Sequence, residues 1–283
     1  MAKKVGNDDL VYHYCDVESF LNIIQNSTIW LSDILKSNDS KEGTWIKDKI
    51  NNKIIEYLAE TDNNALHAWN TWYEQDVPYG AIIYVACFSE RVDCLSQWRG
   101  YAQDGQGLAI GFSKKYLQEL SMPYSLLFNR VIYSEKRQQE FINKIANENI
   151  LKMSKKGVGH VALELSENYL KSFPLYKNPS FEEEQEWRII FLANPRNQKD
   201  VSLGNFHLRP PKFRANKDKI ISYLELDFTS IKTDIIKEIW IGPKSKVTLQ
   251  DLLNILATNN YYENRPYSSE EPILIQYSKS SYR

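Results

Sequence analysis

Apolar positions along this chain repeat with two periods, near two and near 3.6 residues, and the switches between them mark its elements. Leu10–Cys15 (LVYHYC) is an almost unbroken apolar and aromatic run and predicts a strand. Asp16 then offers an N-cap, and Val17, Phe20, Leu21 and Ile24 follow at helical spacing until Asn26-Ser27 closes the helix. Ile29–Ser32 predicts a short strand, and Asp33–Gly43 a polar loop. Helices are predicted over Thr44–Glu60 and Asn64–Gln75. Ala81–Ser89 (AIIYVACFS) has the near-continuous apolarity of a central strand. Arg91–Gly107 is a Gly- and Gln-rich polar stretch, followed by a strand at Leu108–Phe112. Val131–Ser134 predicts a strand, Glu135–Ser154 and Val158–Ser172 two helices, and Phe173–Ser180 a proline-bearing loop. Glu186–Leu192 returns as a strand. After Pro210-Pro211 come strands at Ile220–Phe228 and Glu238–Gly242, a helix at Leu249–Ala257 and a strand at Ile273–Tyr277.

Strands and helices mix without regular βαβ alternation, which argues for the α+β class. With no repeat, low-complexity tract or clear linker, residues 1–283 read as one domain carrying a helical insertion around 135–172.

Composition narrows the chemistry. The formal net charge of -1 gives no overall field for nucleic acid or acidic membranes, so any such binding needs a local patch. Aromatics reach 13%, with 18 Tyr and 7 Trp, enough to build stacking platforms as well as a core. Cys15, Cys87 and Cys94 form no disulfide framework and fit a reducing, cytoplasmic compartment. His13, His67, His160 and His207 are scattered, so no metal site is expected. The N-terminal segment lacks the apolar core of a signal peptide, and no apolar run reaches the ~20 residues of a membrane span.

The P-loop, nucleophile-elbow, kinase and dinucleotide-fold signatures are absent, and Gly105-Gln106-Gly107 is too short a motif to carry weight alone. Four segments remain. The first is Tyr12-His13-Tyr14, in which His13 is either a satisfied strand residue or part of an aromatic pocket. The second joins Trp30–Asp33 to Asn38-Asp39 and Glu42; Asn38-Asp39 reads most simply as a turn. The third is Ser96–Tyr101 (SQWRGY), where Arg99 serves either a structural ion pair or a phosphate pair. The fourth is FEEEQEWRIIF: in an extended chain Glu184, Glu186 and Arg188 share one face, and Trp187, Ile189 and Phe191 the other. Such a strand is either preceded by a solvated acidic loop or aims a carboxylate into a cleft. Arg209, Lys212, Arg214, Lys217 and Lys219 are a solvated basic loop or a track for a nucleic-acid strand.

Taken in order, YHYCDVESFLNII, IWLSD, SNDSKEG, CFSERVDCLSQWRGYAQDGQGLAIGF, FEEEQEWRIIF and IWIGP resemble the bacterial domain of unknown function 2971 family, from about residue 10 to 245. That family in turn is similar to the ADP-ribosyltransferase fold, with split mixed and antiparallel β-sheets and helical insertions. The start of the chain is similar to DarT-type toxins that modify nucleic acid, and Glu184-x-Glu186 to the paired glutamates of arginine-modifying enzymes. The resemblance implies NAD as substrate, no metal, and a mono-ADP-ribosyltransferase toxin or defence effector. It implies RNA or DNA as acceptor ahead of protein, and an antitoxin protein as partner. Glu186, Glu184 and His13 are the implied catalytic residues. His13, Tyr14, Ser32, Asn38, Trp98, Arg99 and Tyr101 are candidates for NAD contacts, and Arg209, Lys212 and Arg214 for the acceptor. The usual His-Gly-Thr opening and Ser-Thr-Ser strand are absent. Two other readings therefore stand beside it: a non-catalytic nucleotide- or partner-binding module, and an NAD glycohydrolase.

Overall fold

Short runs of Ile, Val, Leu and aromatic residues build a ten-stranded mixed sheet. The computed structural model describes residues 10–36, 45–74, 82–122, 126–161, 172–193, 211–216, 218–262 and 273–282. In chain order these include β1 (Leu10–Cys15), α1 (Val17–Asn26), β2 (Thr28–Asp33), α2 (Trp45–Thr61), α3 (Asn63–Glu74), β3 (Ile82–Ser89) and α4 (Leu95–Tyr101). There follow β4 (Leu108–Ser113), α5 (Lys114–Ser121), β5 (Leu127–Arg130), α6 (Glu135–Lys156), β6 (Glu186–Ala193), β7 (Lys212–Asn216) and β8 (Lys219–Asp227). The remaining elements are α7 (Lys232–Ile235), β9 (Ile236–Ile241), α8 (Leu249–Thr258) and β10 (Leu274–Tyr277).

The main path of the sheet runs β10-β9-β4-β1-β3-β2-β8-β7, with β6 pairing both β3 and β5. All pairs are antiparallel except β9–β10. The junction is β3. One of its edges pairs with β6 from Ile82 to Ser89. The other is shared: Tyr84 and Val85 meet β2, and Ser89 meets Tyr12 of β1. The sheet therefore divides at β3, with β1, β4, β9 and β10 on one side and β2, β8 and β7 on the other. This is the α+β architecture expected from the irregular order of elements.

Both faces are covered, which is why β3 and β6 read as near-continuous apolar runs. Ile189 and Phe191 of β6 join Phe20 and Ile24 of α1, Leu117 of α5 and Leu252 and Leu256 of α8 in one core. Ile190, one residue out of phase, joins Ile46, Ile50 and Ile54 of α2 and Ile142 and Ile145 of α6 in the other. Thus α6, read from sequence as an insertion, is packed in the same helical layer as α2. At the N-terminus of α1, Asp16 accepts the Ser19 N–H at 2.6 Å, as its position before the first helical turn implied.

Several expectations need correction. The polar stretch from Arg91 contains α4, and β5, β7 and the short α5 and α7 were not anticipated. The expected strand Val131–Ser134 is reduced to one bridge, Ile132 to Tyr176, because the ladder to β6 is made one step earlier by β5. Most of the expected helix Val158–Ser172 lies outside the described residues. The Gly105-Gln106-Gly107 motif is architectural. A Cβ at Gly107 would sit 2.0 Å from the Cys15 carbonyl oxygen, and one at Gly242 2.5 Å from that of Gly105. Only glycine permits these backbone approaches.

Candidate functional site

The division of the sheet creates a recess. After the Tyr12–Ser89 pairing, β1 stays with β4 while β3 continues along β6. Tyr12, His13 and Tyr14 of β1, Cys87 and Phe88 of β3, Gln97 and Tyr101 of α4, and Glu184 and Glu186 line a cavity of about 70 Å³. His13 and the two glutamates, over 170 residues apart in sequence, thus face one space. Gln97 and Tyr101 are one helical turn apart, so α4 presents both to it. Tyr101, 45% exposed, stands at the rim.

His13 Nδ1 is 2.9 Å from the Cys87 carbonyl. A carbonyl only accepts, so Nδ1 carries the proton. Burial lowers the imidazole's basicity, opposed by the Cys87 carbonyl and Asp16. The neutral ring then offers Nε2 as an acceptor. Tyr14 is fixed by donating to the Arg91 carbonyl at 2.7 Å and accepting from the Cys94 N–H at 3.2 Å. Burial pushes its pKa well above the usual range for a phenol.

Across the recess is a buried charge cluster. A short 3₁₀ turn, Pro179–Glu184, ends at Gln185, whose φ of 43° turns the chain into β6. This corner puts Glu184 and Glu186 side by side. Arg188 donates to both oxygens of Glu186, Nε at 2.8 Å and Nη2 at 2.9 Å, and Nη1 donates to the Pro174 carbonyl at 2.6 Å. Lys177 Nζ bridges the two acids, 2.6 Å from Glu184 and 3.2 Å from Glu186. Tyr101 donates to the other oxygen of Glu184 at 3.1 Å. Two acids and two bases leave the cluster formally neutral.

The two carboxyls are driven apart. Burial alone would raise the Glu186 acid, but Arg188 and then Lys177 overcome it, and the group is held at about 2. A hydrogen bond from the Cys87 thiol adds to this. For Glu184, burial prevails and, with repulsion from Glu186, raises the acid despite Lys177 and Tyr101. One carboxylate is thus a permanent anion, and its neighbour is the easier of the two to protonate.

The other sequence candidates are dispersed. Trp98 is fully buried, its indole N–H on Asp93 at 2.8 Å and its ring edge-on to Tyr14 at 4.8 Å, so it supports the recess from beneath and offers no face for stacking a ligand. Arg99 points away, 3.9 Å from Asp104 in an exposed pair. Ser32 lies within β2, 3.5 Å from Arg214 Nη2, and does not line the recess. Lys212 pairs with Glu225 at 2.9 Å, and the Arg214 guanidinium lies 5.6 Å from the Trp30 ring centre. Both stand on β7, at the edge of the sheet and three strands from β3. Asn38 and Arg209 lie outside the described residues.

Lys177, Cys87 and Tyr133, whose hydroxyl accepts the Glu186 N–H at 3.2 Å, were not anticipated, and Gln97 was singled out only as part of Ser96–Tyr101. Arg188 was foreshadowed by its place two residues after Glu186. Among the described residues no group of three or more His, Cys, Asp or Glu is placed to hold a metal ion, the three cysteines form no disulfide, and no helix is long and apolar enough to cross a membrane.

The segment building α4, β4, β5, α6 and the start of β6 matches a known family model. Residues 97–189 match the family described as Protein of unknown function (DUF2971). This is the resemblance carried by SQWRGY and EQEWR, and the matched stretch begins at Gln97 of the recess and ends at Ile189, one residue past Arg188 of the charge cluster. No curated protein and no solved structure matches the chain.

Proposed function

We propose that this recess is the seat of an NAD-dependent ADP-ribosyl transfer on an ADP-ribosyltransferase-like fold. The observation that carries the reading is the convergence of His13, from the first strand, with Glu184 and Glu186, from the head of a late strand, on one cavity. In this reading His13 Nε2 accepts a hydrogen bond from a ribose hydroxyl. Tyr14 and Tyr101 flank the nicotinamide. The cavity of about 70 Å³ is far below the roughly 300–1,000 Å³ of ordinary small-molecule sites, so it takes one end of the dinucleotide while the rest lies over the rim.

Loss of nicotinamide builds positive charge on the ribose, and a fixed anion nearby lowers that barrier. Glu186 supplies the charge, and Glu184, with its raised acid, orients the incoming nucleophile and takes its proton. The acceptor favoured is RNA or DNA. Lys212 and Arg214 lie about 14 Å from β3 at the usual strand spacing, within reach of a short nucleic-acid strand. Such an activity would make the protein a toxin or defence effector restrained by a protein partner.

A second reading, a nucleotide-binding module without turnover, is favoured by one feature. Both oxygens of Glu186 are already taken by Arg188 and Lys177. Incubation with adenylate-labelled NAD, followed by separation of RNA, DNA, protein and small molecules, tests both. Transfer to a macromolecule that is lost in Glu186→Gln supports the enzyme. Transfer unchanged by that substitution refutes the assignment. Free labelled ADP-ribose alone marks a glycohydrolase, and bound but intact NAD marks the module.

A further inference from the structure

A cavity larger than the recess lies elsewhere. It encloses about 460 Å³ between α1, α8 and the turns at 102–107 and 243–248, within the size range of small-molecule sites. We propose that it is a second ligand site, for an amphipathic monoanion: an apolar chain or ring bearing a carboxylate.

The apolar requirement comes from the floor and walls. Phe20 and Leu252 are buried at the base, and Val17, Leu21, Val247 and Ile255 form the sides. Leu21 is 37% exposed at the mouth, apolar surface that a ligand would remove from water.

The sign of charge comes from accounting for each polar group on the rim. Lys244 is committed to Asp104 at 2.7 Å and lies 3.8 Å from the Tyr282 ring centre. Asp251 is committed to the capping box of α8, accepting the Thr248 N–H at 2.9 Å and its hydroxyl at 2.7 Å. Gln103, Gln106 and Lys246 remain, and their side chains make no hydrogen bond or ion pair among the described residues. The uncommitted groups are thus one ammonium and two carboxamides, a set that suits a single carboxylate.

The rim is also preorganised. Gln103, Asp104 and Gly105 all have positive φ, and the turn is pinned by Gly105 N–H to the Trp98 carbonyl at 2.9 Å and by Lys244 N–H to the Gly105 carbonyl at 2.9 Å. A ligand meeting so fixed a rim loses little to ordering it. None of these residues lines the His13 recess, so the inference stands apart from the reading of that site.

Calorimetric titration of the full chain with octanoate, and separately with octan-1-ol, tests it. One saturable octanoate site is expected, with octanol at least tenfold weaker. Lys246→Glu, a change at an exposed side chain, should weaken octanoate at least tenfold with the circular dichroism spectrum unchanged. Leu21→Trp, which fills the mouth, should abolish binding of both. The proposal is overturned if octanoate shows no saturable binding, if octanol binds as tightly, or if Lys246→Glu leaves octanoate affinity unchanged.

Discussion

The two cavities invert each other's physics. The recess at His13 is small, and its far wall holds two acids and two bases with their charges mutually satisfied. The cavity between α1 and α8 is several times larger, apolar within, and ringed by polar groups of which Gln103, Gln106 and Lys246 have no partner among the described residues. The first spends its polar groups on one another, so what it gains is fixed geometry and separated acidities. The second keeps Gln103, Gln106 and Lys246 in water, so removing any one of these three should cost the fold little. Volume alone would point to the second as the functional site; the chemistry of the lining points to the first.

Substitutions sharpen this contrast. The largest effect is expected for Arg188→Met, which leaves Glu186 buried without its two-point partner. Breaking such pairs costs about 3–5 kcal/mol, and urea unfolding should register it; a loss below 1 kcal/mol would mean that the cluster is not as buried as described. On the apolar side Leu252→Ala should cost about 2–4 kcal/mol in the same assay, the usual price of an emptied core position. At the rim, Lys246→Ala should change stability by no more than about 0.5 kcal/mol.

Acid should also separate the two regions, because only the recess holds opposed carboxyls. Glu186 is depressed from 4.5 to about 2, so the stability it contributes is complete above 4.5 and is lost as pH falls through about 2. Glu184 is raised above 4.5, so its protonation favours the folded state, and stability grows as pH falls through its raised value towards 4.5. His13, lowered from 6.5, works against that gain below 6.5, where the unfolded chain takes up the proton first. Denaturation across pH should therefore show that Glu184→Gln removes the gain above 4.5, while Glu186→Gln flattens the loss between 4.5 and about 2. Identical pH profiles for the two variants would contradict the assignment.

Much of the frame was legible in the sequence because periodicity reports burial. LVYHYC and AIIYVACFS formed strands within a residue or two of their expected limits, and the alternation in EWRIIF correctly divided Arg188 from Trp187 and Ile189. The site was legible only in part. His13, Tyr14, Glu184 and Glu186 came from a family resemblance, since nothing in their spacing says that strands so distant meet. The errors around SQWRGY share one cause: its helix was not seen. In an extended or irregular chain Trp98 and Arg99 appear free to reach a ligand. On α4 the residues facing the recess are Gln97 and Tyr101, Trp98 turns into the core and Arg99 outward. Lys177 was hidden for another reason. A single lysine among Pro, Tyr and Asn carries no sequence signal of burial, and only the bridge it makes between two acids explains its place.

Calorimetric titration of NAD into the wild-type chain and into His13→Ala and Lys246→Ala variants tests the account most directly. The expected result is one NAD site in the wild type, at least tenfold weaker when His13 is removed and unchanged when Lys246 is. Binding that survives the loss of His13 but not of Lys246, or no binding to the wild type at all, would contradict it.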